Sequence, residues 1–112
     1  MITVYHNPRC GKSRECLAYL DGRNIGYEVV HYLKSVPDEN EIRTLLSKLK
    51  CDAIDIVRTK EPDWQVYKNA NLTDDEIIAI LVKHPSLIER PIVINGDTAI
   101  IARPALKIDE LL

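Results

Sequence analysis

The sequence predicts an α/β fold: a small mixed sheet of about four strands flanked by helices, with an all-helical insert between strands two and three. Three observations predict it. Residues 1–34 read as strand, helix, strand. Residues 35–85 carry helical periodicity with two capping boxes. Residues 90–112 return to a strand period around a hairpin signal. The chain has 112 residues, 46% of them apolar, which suits one domain with a packed core. A single domain over 1–112 is expected, with the helical insert at about 35–85.

Ile2 to Tyr5 is a short apolar run and reads as the first strand. Lys12 to Asn24 has a helical pattern, with Cys16, Leu17 and Leu20 on one face. Gly26 breaks the chain, and Tyr27 to Tyr32 reads as a second strand. A helix of that length between two strands implies a parallel pair with a right-handed crossover. In the insert, Asp38 to Glu41 fits a capping box ahead of the stripe Ile42, Leu45, Leu46 and Leu49. Thr73 to Glu76 fits a second, with Leu72 placed to staple onto Ile77. Ile77, Ile78, Leu81 and Val82 then face inward until Pro85 stops the helix. Cys51 to Asn71 is less regular, with room for short helices around 52–57 and 63–68. Ile92-Val93-Ile94 and Ala99-Ile100-Ile101 flank Asn95-Gly96-Asp97, a strong hairpin signal. Pro104 opens a short terminal helix.

Charge and cysteine usage exclude several functions. A net charge of −2 gives no electrostatic case for nucleic-acid or membrane binding. No apolar run approaches the roughly 20 residues of a membrane span, and Met1 leads straight into a strand rather than a signal peptide. Three cysteines without regular spacing do not suggest a disulfide scaffold, so a reducing cytoplasm is expected. No ligand pair has structural zinc spacing, so no metal is expected.

Cys10 is the most informative residue. Between a strand and a helix, it falls in the first helical turn, where free N–H groups and the helix dipole favour a thiolate. The alternative is a partly buried structural thiol. Position 13, where a Cys-x-x-Cys partner would stand, is Ser13, which either bonds near the thiolate or continues the helix. Cys16 lies a rise of about 9 Å along the helix, beyond the roughly 7 Å limit for a bridge. A resolving thiol would therefore come from another molecule. Cys51 reads as incidental.

Arg90 and Arg103 each precede a proline and bracket the hairpin. A Gly96-Asp97 loop would set them directly opposite, an Asn95-Gly96 loop diagonally. Either places both side chains on one face. Two guanidiniums so placed form a forked site for a tetrahedral oxyanion, unless they are surface arginines paired with Glu89 or Asp97. Arg58, in the insert, has Asp55 and Glu61 nearby as alternative partners.

These residues resemble the glutaredoxin-dependent arsenate reductases, a family with a thioredoxin-like fold. Tyr5-His6-Asn7-Pro8-Arg9-Cys10-Gly11-Lys12-Ser13-Arg14 is similar to the family's nucleophile motif. Val57 to Glu61, Glu89 to Val93 and Ala102-Arg103-Pro104 resemble its three arginine segments, in the family's order. The resemblance implies that Cys10 attacks arsenic and that Arg58, Arg90 and Arg103 hold the oxyanion. It implies His6 as a thiol-activating group and Pro91 as the cis-proline beside the cysteine; Ser13 stays the auxiliary candidate named above. It also implies arsenate as substrate, glutathione as co-substrate, glutaredoxin as protein partner and no bound cofactor; a monomer is expected. Leu112 follows soon after the third arginine, where well-studied members continue into a longer carboxyl tail. The alternatives are a Spx-like redox-sensing regulator that binds RNA polymerase, against which the three arginines speak, or a related thiol oxidoreductase. A cysteine phosphatase needs an arginine at position 16, which is Cys16.

Overall fold

The computed structural model describes residues 1–112, which divide into two compact units: Met1–Ser35 with Arg90–Leu112, and Val36–Glu89. In the first unit, β1 (Ile2–Tyr5) pairs in parallel with β2 (Tyr27–Val30) and antiparallel with β3 (Ile92–Asn95). β3 pairs antiparallel with β4 (Thr98–Ile101), giving the order β2-β1-β3-β4. This is the mixed sheet the sequence predicts. α1 (Gly11–Gly22) links the parallel pair, and a 3-10 segment (Ala105–Leu111) follows β4.

Strand alternation sets this unit's core. Ile2 and Val4 share a face of β1, and Val93 lies opposite Val4 in the ladder. They pack with Cys16 and Leu20 of α1, Ala102 and Ile108, all buried. Each large aliphatic side chain buried there contributes about 1.5–3 kcal/mol. Asp109 accepts a hydrogen bond from Tyr19 Oη at 2.8 Å and pairs with Arg23, tying the terminal segment to α1.

Two boundaries differ from the sequence reading, and one alternative is resolved. α1 stops at Gly22, because Asn24 takes the left-handed conformation (φ 55°) usual for a C′ glycine; Gly26 is not the breaker. β2 stops at Val30 because the chain turns at His31, whose carbonyl accepts from the N–H groups of Lys34 and Ser35. The hairpin loop is Gly96-Asp97, with Asn95 opposite Thr98. Gly96 supplies φ +61° at the first central position of the turn.

The second unit holds α2 (Glu39–Leu49), α3 (Pro62–Gln65), α4 (Asp74–Lys83) and 3-10 turns at Ala53–Ile56 and Pro85–Leu87. Both capping boxes form. Asp38 Oδ1 accepts from Glu41 N at 2.8 Å, and Thr73 Oγ1 accepts from Glu76 N at 3.2 Å, each glutamate reaching back to the cap N–H. Ile42, Leu45 and Leu46 are buried, while Leu49, last in α2, is half-buried. In α4, Ile80 is buried and Val82 only partly. At about 100° per residue the two flank the arc defined by Ile77, Ile78 and Leu81 on opposite sides, so packing rather than helical pattern decides that Ile80 is the buried one. The segment is not wholly helical, since Val57 and Ile88 form an antiparallel bridge.

Candidate active site

The loop between β1 and α1 carries Cys10, and hydrogen bonds fix its path from several sides. His6 N–H donates to Val30 O at 3.0 Å, prolonging the β1–β2 pairing. Asn7 closes the turn: its carbonyl accepts from Cys10 N–H and its Oδ1 from Arg9 N–H, both at 3.0 Å. Asn7 N–H donates to Ser13 Oγ at 3.0 Å, and Arg14 Nη1 donates to Pro8 O at 3.0 Å. The first turn of α1 thus holds the loop that precedes it.

Cys10 is the N-cap of α1, in extended conformation (φ −93°, ψ 123°), one place before the expected first turn. Its half-buried sulfur makes no capping bond of ordinary geometry. Burial would push the thiol up. The Ser13 N–H, the Arg90 charge, the Lys12 N–H and an Arg90 side-chain hydrogen bond outweigh that and hold it below the usual thiol value. The other cysteines move the opposite way. Burial drives Cys16, in the core, up to about 11. Burial and then Asp55, Asp52 and Asp74 raise Cys51. Of the three thiols, only that of Cys10 is held below its usual value.

Ser13 and His6 are buried, and His6 Nδ1 meets Ser13 Oγ at 2.8 Å. Burial, then the charges of His31 and Arg14, lower the His6 pKa and so favour its neutral ring. His6 is not among the groups that shift the Cys10 thiol. Its ring meets the hydroxyl of Ser13, whose backbone N–H bonds the sulfur.

The arginines divide between the two units. Ala102 N–H donates to Pro91 O at 3.0 Å, continuing the β3–β4 register. Arg90 and Arg103 stand at the next opposed positions, and Arg103 Nη1 donates to Arg90 O at 3.2 Å. Arg90 acts on Cys10 directly. Arg58 belongs to the second unit. There its N–H donates to Leu87 O, its Nη1 donates to Ser86 O at 3.0 Å, and its Nη2 pairs with Glu61 at 2.8 Å. The Arg90–Pro91 peptide is cis, and so is Arg103–Pro104, which the sequence reading did not single out. It also gave no part to Arg14, although an arginine one turn beyond a tight loop is placed to reach back to that loop's carbonyls.

Residues 5–111 match the ArsC family. The chain is 38% identical to an arsenate reductase of Neisseria meningitidis, covering 99% of this chain and 97% of that one. It is 39% identical to an arsenate reductase of Haemophilus influenzae, covering 99% and 98%. The solved structure of an arsenate reductase from Vibrio cholerae superposes with a TM-score of 0.95 at 36% identity, covering 99% of this chain and 97% of that one; the fold is thioredoxin-like.

Proposed function

The chain belongs to the ArsC family, and on that footing we propose that it reduces arsenate to arsenite with Cys10 as its single nucleophile and glutathione and glutaredoxin as reductants. Dihydrogen arsenate is a small tetrahedral anion. The Cys10 thiolate attacks its arsenic, one oxygen takes up protons and leaves as water, and a Cys10–S–As(V) ester forms. Glutathione then adds its sulfur to arsenic as its thiol proton and a hydroxyl leave as a second water. The glutaredoxin thiol attacks the glutathione sulfur, giving a mixed disulfide. The electron pair of the broken S–As bond stays on arsenic, which becomes As(III). Water hydrolyses the remaining Cys10–S–As bond, returning the thiol and releasing arsenite.

In this scheme Arg90 has two tasks. It favours the thiolate before arsenate binds, and it offsets negative charge on the oxyanion as the S–As bond forms. Arg103, on the opposed strand, adds a second fork. The reductants place the reaction in the cytoplasm, where glutathione keeps thiols reduced.

One observation carries this reading: of three cysteines, the one at the helix N-terminus is also the one whose anion is favoured by an arginine. Arsenate-dependent NADPH consumption, coupled through glutathione, glutaredoxin and glutathione reductase, is expected for the native protein and absent in Cys10→Ser. Normal turnover by that variant would remove Cys10 from the mechanism. Arsenate should also slow alkylation of Cys10, whereas a Spx-like regulator would give no oxyanion effect.

A further inference from the structure

A cleft adjoins the loop that carries Cys10. About 310 Å³ in volume, it lies in the first unit between the loop at His6, Pro8 and Arg9 and the segment at His31, Leu33 and Lys34. That is the small end of the range for ligand clefts, about 300–1,000 Å³. No carboxylate lines it, and its two formal cations, Arg9 and Lys34, belong to none of the chain's ion pairs. Leu33 and Pro8 supply exposed apolar surface between them. A larger cleft in the second unit, about 630 Å³, is lined by Asp52, Asp55, Asp74 and Asp75, the wrong sign for an acidic ligand.

We propose that the cleft between Arg9 and Lys34 seats the glutathione of the reaction, each cation taking one of its two carboxylates. Charge, volume and position fit a small acidic peptide, and the proposed reaction supplies its thiol. The charge is complementary to two carboxylates. The volume suits a tripeptide rather than a longer chain. Position supplies the rest: Arg9 is the residue before Cys10, with Cα atoms about 3.8 Å apart. An extended tripeptide reaches about 10 Å. A tripeptide held at Arg9 thus has the span to bring its central sulfur to arsenic carried on Cys10. The seat serves the second step of the scheme, in which that sulfur bonds to arsenic and water leaves, and in this respect it rests on the proposed arsenate reduction.

The test has a binding arm and a kinetic arm. In the binding arm, S-methylglutathione is titrated into Cys10→Ser protein and amide NMR shifts are followed, with no arsenate present. Shifts confined to residues 6–9 and 31–34, lost in Lys34→Glu, are the expected result. No shifts, or shifts elsewhere, would overturn the assignment even if arsenate is reduced. Conversely, shifts at the cleft in a protein that reduces no arsenate would keep the seat and discard the reaction. In the kinetic arm, Arg9→Ala and Lys34→Ala should each raise KM for glutathione about 2–5-fold, the worth of an exposed ion pair, with KM for arsenate held. A rise in KM for glutaredoxin alone would give the cleft to the protein partner and overturn the proposal.

Discussion

At the residue scale the chemistry depends on how three identical thiols are made unequal. Cys10 gains a lowered pKa from two backbone N–H groups and Arg90, against burial; Cys16 and Cys51 are both raised. Iodoacetamide at neutral pH is expected to label Cys10 first and Cys16 last, and mass spectrometry of timed digests would check the order. Arg90→Ala should shift the alkylation midpoint of Cys10 upward and weaken protection by arsenate. The same ionisation enters stability with a definite sign. The folded-state pKa of Cys10 is depressed, so its contribution is full above the unfolded-state value and is lost as pH falls through the folded value. Urea unfolding of the native protein should lose a stability increment over that window, and Cys10→Ser should not. Ser13→Ala strips partners from His6 and the Asn7 N–H and is expected to cost about 1–3 kcal/mol. Cys10 was legible in the sequence because a thiol between strand and helix has few other places to be. The His6–Ser13 bond was not, since it depends on the path of five loop residues that no periodicity encodes.

At the element scale, the sequence carried most where local chemistry has one solution. Asp38-x-x-Glu41 and Thr73-x-x-Glu76 satisfy the first N–H groups of α2 and α4 as their spacing requires. Asp38→Ala and Thr73→Ala are each expected to lower stability by about 0.5–2 kcal/mol, read as a shift of the urea midpoint without a change in slope. Boundaries were less legible where a residue does an unusual job. Asn24 ends α1 in a conformation the pattern would give to glycine, and His31 ends β2 through a carbonyl that any residue could offer. The buried arc of α4 depends on its tertiary neighbours, so Ile80 could be separated from Val82 only in the folded chain.

For the molecule as a whole, topology was readable from the change of period near residues 35 and 90, close to where the chain divides into its two units. The surroundings of Arg58 were readable only as alternatives, and the structure pairs it with Glu61. Packing density is a property of the assembled unit. Leu20→Ala, in the core shared by the sheet, α1 and the terminal segment, should cost about 2–5 kcal/mol in urea unfolding. The two-residue turn at Gly96-Asp97 has a consequence at its other end. It acts as a gauge about 20 Å from the two cationic forks, because each paired step back along the strands preserves the alignment it sets. One residue inserted into that turn would slip the ladder and send Arg103 to the other side of the sheet. Arsenate would then cease to shield Cys10 from alkylation, although every residue proposed to touch arsenate would still be present.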